Sequence, residues 1–190
     1  MKFSFYPWLL VLGFNFCFFT AFSQNIFMAV TSTPAIKGES IYAGHIDQID
    51  ITDLSQGNES CANFPPSGGP PNLCKPTIGQ VKFNMVLNTS AIGFRNQMFS
   101  GKAMNKVDVI FEKSGVDKPV TYQKIRMEEV FVVGVEEVAD SDGRPTVQVI
   151  LQARRIGWVY YKNDINGNPS KTPEKTGWDV STVQPWTPAD

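Results

Sequence analysis

The residue types that do chemistry are few and poorly placed for it in this 190-residue chain. A Ser-His-acid triad would need His45, the only histidine, and no Gly-x-Ser-x-Gly elbow accompanies it. A lone histidine on an alternating strand reads as structural. Glu128/Glu129 and Glu136/Glu137 are adjacent carboxylates, but neighbours on a strand face opposite ways, so they read as solvated residues and not as a hydrolytic dyad. Asp164-Ile165-Asn166-Gly167-Asn168 opens like a calcium loop. Its glycine stands fourth instead of sixth, and Lys175 fills the twelfth place where glutamate is needed. No glycine-rich phosphate or dinucleotide loop follows a strand. Asn58-Glu59-Ser60 and Asn88-Thr89-Ser90 fit the glycosylation sequon, a pattern short enough to arise by chance. The sequence predicts no catalytic residue, no cofactor and no metal.

Cysteine chemistry remains. Of the three cysteines, Cys17 lies in an apolar leader, which leaves Cys61 and Cys74. With only His45 nearby they make no zinc ligand set. In an oxidising compartment they would close a loop of about 14 residues, worth roughly 3 kcal/mol in the chain-entropy model. A Cys61–Cys74 disulfide is the expectation, with two unpaired thiols in a loop as the alternative.

The leader supplies that compartment. From Met1 to Ser23 the only charge is Lys2, and the largely apolar run Trp8 to Phe22 is interrupted by Asn15. A spanning helix needs about 20 residues, so the run reads as the core of a secretory signal. Ala21 and Ser23 are the small residues before a cut between Ser23 and Gln24. No small residues precede Cys17 as a lipoprotein site requires, so no stable membrane anchor is expected. Residues 1–23 are thus a signal peptide and 24–190 a secreted domain, extracellular or periplasmic; an uncleaved anchor is the alternative. The 17 basic and 18 acidic side chains nearly cancel, which argues against nucleic-acid binding. Hydrophobic residues at 42% and charged residues at 18% exclude a disordered tail.

The elements that carry these residues have the period of two expected of strands. Val81, Phe83, Met85 and Leu87 alternate with Lys82, Asn84 and Val86. Val147, Val149, Leu151 and Ala153 do the same, then Ile156, Trp158 and Tyr160 beyond a bend. Val107, Val109 and Phe111 form a further strand, Glu128 to Val138 another, and Ile26 to Val30 and Ile46 to Ile51 two more. Ser141-Asp142-Gly143 and Asn166-Gly167-Asn168-Pro169 supply tight reversals. One helix begins at Asn88 or Ser90, runs through Ile92, Arg95, Gln97, Met98 and Phe99, and stops at Gly101. The expected fold is mainly β: a small antiparallel β-barrel or sandwich with one short flanking α-helix. Ser55 to Ile78, carrying Pro65, Pro66, Gly68, Gly69, Pro70, Pro71 and Pro76, reads as a long irregular loop with a functional role.

In order along the chain, these residues resemble the haemolysin-coregulated protein (Hcp) family of type VI secretion tubes. Ile36-Lys37-Gly38-Glu39-Ser40 is followed by His45-Ile46-Asp47, Gly79-Gln80-Val81, the Asn88–Gly101 helix with Lys102, and Val107 to Gly115. Tyr122-Gln123-Lys124-Ile125, Glu128-Glu129-Val130, Trp158-Val159-Tyr160-Tyr161 and Gly177-Trp178-Asp179-Val180 complete the set. The resemblance covers roughly Ile26 to Val180. It implies a structural subunit, not an enzyme, that closes into six-membered rings, stacks into a tube and carries effectors in the lumen. Implied partners are further copies of the chain, other type VI components and effectors. The Ser55–Ile78 segment falls where the family has an extended loop reaching a neighbouring ring. Asn63, Phe64, Asn72 and Leu73 beside the cysteines are the candidate assembly residues. A leader and a cysteine pair stand outside the family pattern, so a secreted binding or surface protein acting outside any injection machine is the second reading. A monomer whose loop covers its own barrel is the alternative to assembly.

Overall fold

A computed structural model describes residues 24–115, 118–139, 143, 145–164 and 169–189. In chain order it contains β1 (Gln24–Thr31), β2 (Ile49–Ile51), β3 (Asp53–Glu59), β4 (Ala62–Asn63), β5 (Asn72–Leu73), β6 (Thr77–Val86) and α1 (Thr89–Ser100). There follow β7 (Met104–Lys113), β8 (Val120–Ala139), β9 (Pro145–Tyr160), β10 (Glu174–Asp179) and β11 (Gln184–Pro185). Every ladder is antiparallel, and the main sheet runs β11-β10-β9-β8-β7-β1-β2. The first half of β9 also pairs with β6, which pairs in turn with β3. Only Thr52 separates β2 from β3, and its N–H donates to the Asn84 carbonyl at 2.9 Å. The chain there passes from the β1 side to the β6 side. The sheet curls around one core without closing as a continuous ladder.

Alternation in the sequence becomes burial in the strands. Val81, Phe83 and Met85 of β6 and Val147, Val149 and Leu151 of β9 point into one hydrophobic cluster, with Val107 and Val109 of β7. The bend expected in β9 is a change of inward face: Ala153 and then Ile156 are buried, with Arg154 and Arg155 between them. The partner strand changes face at the same level, Met127 and then Val130 being buried. Glu129 between them adopts φ 53°, a left-handed conformation rare for a non-glycine residue. Helix α1 is capped as the residues require. Asn88 accepts from the Ser90 N–H at 2.9 Å, and Gly101 takes φ 62°, open to glycine because it lacks a Cβ. Phe94 packs edge-on to Phe83, ring centroids 5.6 Å apart.

Several expectations change. The strand expected over Ile46–Ile51 is confined to Ile49–Ile51; Gly44 (φ 88°) and Asp47 (φ 62°) put the preceding residues in turns and leave Ile46 exposed. Tyr160 is half exposed, since the residue turned inward there is Val159. The irregular loop Ser55–Ile78 is the largest correction: much of it is paired strand, because polar residues of β3 find ladder partners on β6. Ser141, Asp142 and residues 166–168 of the Asn166–Pro169 reversal lie outside the described residues. The strands joined by the first reversal pair as expected, Ala139 opposite Pro145, and Asn163 forms an isolated bridge with Pro169 across the second. The leader and its Ser23 cut also lie outside them.

Candidate functional site

The residues singled out around the cysteines come together on a β arm. Its base is the β3–β6 ladder, which continues past the core to Asn58 opposite Ile78 and Glu59 opposite Thr77. A bulge between Gln56 and Asn58 bends it. The two chains approach closely at this bulge: a Cβ on Gly79 would collide with the Gly57 carbonyl oxygen, so glycine is required there. Beyond Glu59, Ser60 Oγ donates to the Cys74 carbonyl at 3.2 Å and the Cys74 N–H to the Cys61 carbonyl at 2.9 Å. Cys61 and Cys74 are disulfide-bonded, with Cα atoms 5.0 Å apart. The two-residue ladder β4–β5 then sets Ala62 opposite Leu73 and Asn63 opposite Asn72.

The tip runs from Phe64 to Pro71. Pro65, Pro66, Pro70 and Pro71 fix φ at four of its eight positions, and Gly68, at φ 76°, donates its N–H to the Pro65 carbonyl at 3.1 Å. No residue from Gly57 to Thr77 is buried. Phe64 and Leu73 are each 76% exposed, two apolar residues on an arm whose only charges between Gly57 and Thr77 are Glu59 and Lys75. Exposed apolar side chains of this kind offer a contact surface.

His45 lies in the turn before β2, not on a strand. Its ring stacks on Phe27 at 4.0 Å, and Nδ1 and Nε2 lie 2.9 Å from Gln48 Oε1 and 3.1 Å from Glu112 Oε1. The histidine anchors the segment before β2 to β1 and β7, the structural role its isolation predicts. Among the described residues no group of three or more His, Cys, Asp or Glu is placed to hold a metal ion. Nor is any helix there long and apolar enough to cross a membrane.

One cluster escaped the sequence reading. Glu129 binds Arg154 at 2.6 Å, Glu128 binds Arg155 at 3.2 Å, and Arg155 reaches Asp179 of β10 at 2.7 Å. Asp179 also accepts from the Ser181 hydroxyl (2.6 Å) and from the N–H groups of Ser181 and Thr182 (2.9 and 3.1 Å). The Arg155 guanidinium, then the Ser181 hydroxyl, hold the Asp179 carboxyl well below the usual carboxylate range. The doublets lie on either side of the Ser141–Gly143 turn, which hints at a shared level, but the bulge between Val132 and Gly134 supplies the one-residue shift that sets Glu128 opposite Arg155.

The described residues thus form a curled antiparallel sheet, one capped helix and a projecting arm. Comparison with known proteins names the class. The family model described as "Type VI secretion system effector, Hcp" matches residues 27–160, most of the chain. The chain belongs to the Hcp family. Its fold is shared with a solved type six secretion system protein (14% identity, 86% of this chain and 100% of that one, TM-score 0.78). Hcp1 from Salmonella typhimurium has the same fold (16% identity, 86% and 99% covered, TM-score 0.68). So has the secreted protein Hcp3 from Pseudomonas aeruginosa (15% identity, 82% and 99% covered, TM-score 0.57). No curated protein sequence matches the chain.

Proposed function

We propose that this chain is exported after cleavage between Ser23 and Gln24 and assembles with further copies of itself into rings, six-membered by family resemblance. Stacked rings would form the tube of a type VI secretion apparatus, with effectors in the lumen. The observation that carries this reading is the arm: exposed Phe64 at the start of its tip and exposed Leu73 in β5, beside Asn63 and Asn72 and held clear of the core. A ring needs two different patches of one chain that meet head to tail. A tip already shaped by its prolines and its disulfide loses little entropy when it docks. Light scattering and electron microscopy of the purified secreted chain at micromolar concentration test it. Rings that vanish when residues 58–76 give way to a short glycine-serine linker support the reading, and a monomer at every concentration sinks it. The leader and the disulfide favour a second reading, a secreted Hcp-like binding or surface protein outside any injection machine. Neighbouring genes for a contractile sheath and its ATPase would decide for the first.

A further inference from the structure

We infer that the Cys61–Cys74 disulfide is a redox clip on the arm, so that the oxidised chain assembles at lower concentration than the reduced one. The inference rests on the assembly reading above and adds its regulation. Ladder pairing with β6 holds the base of the arm as far as Glu59 and Thr77. Beyond that point the tip has little to keep its shape. The β4–β5 ladder has two residue pairs, Ser60 Oγ and the Cys74 N–H add two hydrogen bonds, and no side chain from Gly57 to Thr77 is buried. A two-stranded hairpin without a core is marginal in water, so the covalent link is what holds Ala62 against Leu73 and Asn63 against Asn72. Both cysteines are exposed, within reach of a thiol reductant.

The switching step is ordinary thiol–disulfide exchange. A dithiol such as dithiothreitol attacks one cysteine sulfur as its thiolate, and the Sγ–Sγ bond breaks to give a mixed disulfide. The second thiol of the reductant then displaces the protein sulfur. Two electrons and two protons pass to Cys61 and Cys74, and the reductant leaves as a cyclic disulfide. The freed tip regains the conformational entropy of a loop of about 14 residues, which docking must then remove; affinity between copies should fall by about ten- to a hundredfold. The core, built from other strands, keeps its fold.

The test compares the purified secreted chain, oxidised, with the same chain in dithiothreitol and with the Cys61→Ala/Cys74→Ala variant. Assembly is read by light scattering across a concentration series, and the fold by circular dichroism. The expected result is rings from the oxidised chain, and assembly shifted to at least about tenfold higher concentration in the other two. Dithiothreitol should leave the double variant unchanged, and all three should keep the same β spectrum. Equal assembly with and without reductant overturns the clip and leaves the ring reading standing. A non-reduced peptide map without the Cys61–Cys74 link also overturns the clip alone. An oxidised chain that stays monomeric removes the assembly reading and the clip with it.

Discussion

At the scale of single residues, side chains with a partner differ from side chains waiting for one. Asp179 is satisfied by Arg155, Ser181 and Thr182. Its depressed pKa means that the unfolded chain takes up a proton first as pH falls. The carboxylate therefore adds stability that is fully present above about pH 4, the ordinary aspartate value, and is lost as pH drops through the lower folded value. Asp179→Asn should lower Tm at pH 7, with a smaller gap from wild type near pH 2; scanning calorimetry at the two values checks it. Phe64 and Leu73 are the opposite case, each largely in water. Phe64→Asp with Leu73→Asp should leave Tm within about 2 °C, as surface substitutions usually do. The same pair should abolish ring formation in light scattering, and assembly that survives it would place the contact elsewhere.

At the scale of elements, β8 and β9 change their inward face together at Glu129 and Arg154. A strand that keeps strict alternation cannot supply both halves of a curled sheet, and Glu129 accepts a left-handed backbone so that the switch can occur. Glu129→Val places a β-branched side chain in that conformation and removes the Arg154 pair. It should cost about 1–3 kcal/mol in urea unfolding. Helix α1 closes the core through Phe94, which has no exposed surface. Phe94→Ala should cost about 3–5 kcal/mol by leaving a cavity against Phe83, and the same titration reads it. The arm shows how element boundaries escape a sequence reading. Asp53–Glu59 carries no apolar alternation, and its pairing is dictated by the backbone of β6 and not by its own side chains.

For the whole molecule, the export proposal makes a prediction on the intact chain. Mass spectrometry of the protein recovered outside the cytoplasm should place its first residue at Gln24, where β1 begins. A chain that keeps Met1 and stays in the cytosol would overturn the export proposal. The strand pattern, the caps at Asn88 and Gly101 and the isolation of His45 were legible in the chain itself. Burial and hydrogen bonding act through neighbours one to four residues apart, so they leave a periodic trace. The ordered motifs from Ile36 to Val180 carried the resemblance to the family. Tertiary structure alone decided that Ser55–Ile78 is a paired arm, that Glu128 and Glu129 meet Arg155 and Arg154, and that Asp179 secures β10. Each of these depends on which strand lies beside which. Strand register is set by the pairing of residues far apart in sequence, and a single bulge such as that between Val132 and Gly134 shifts it by one.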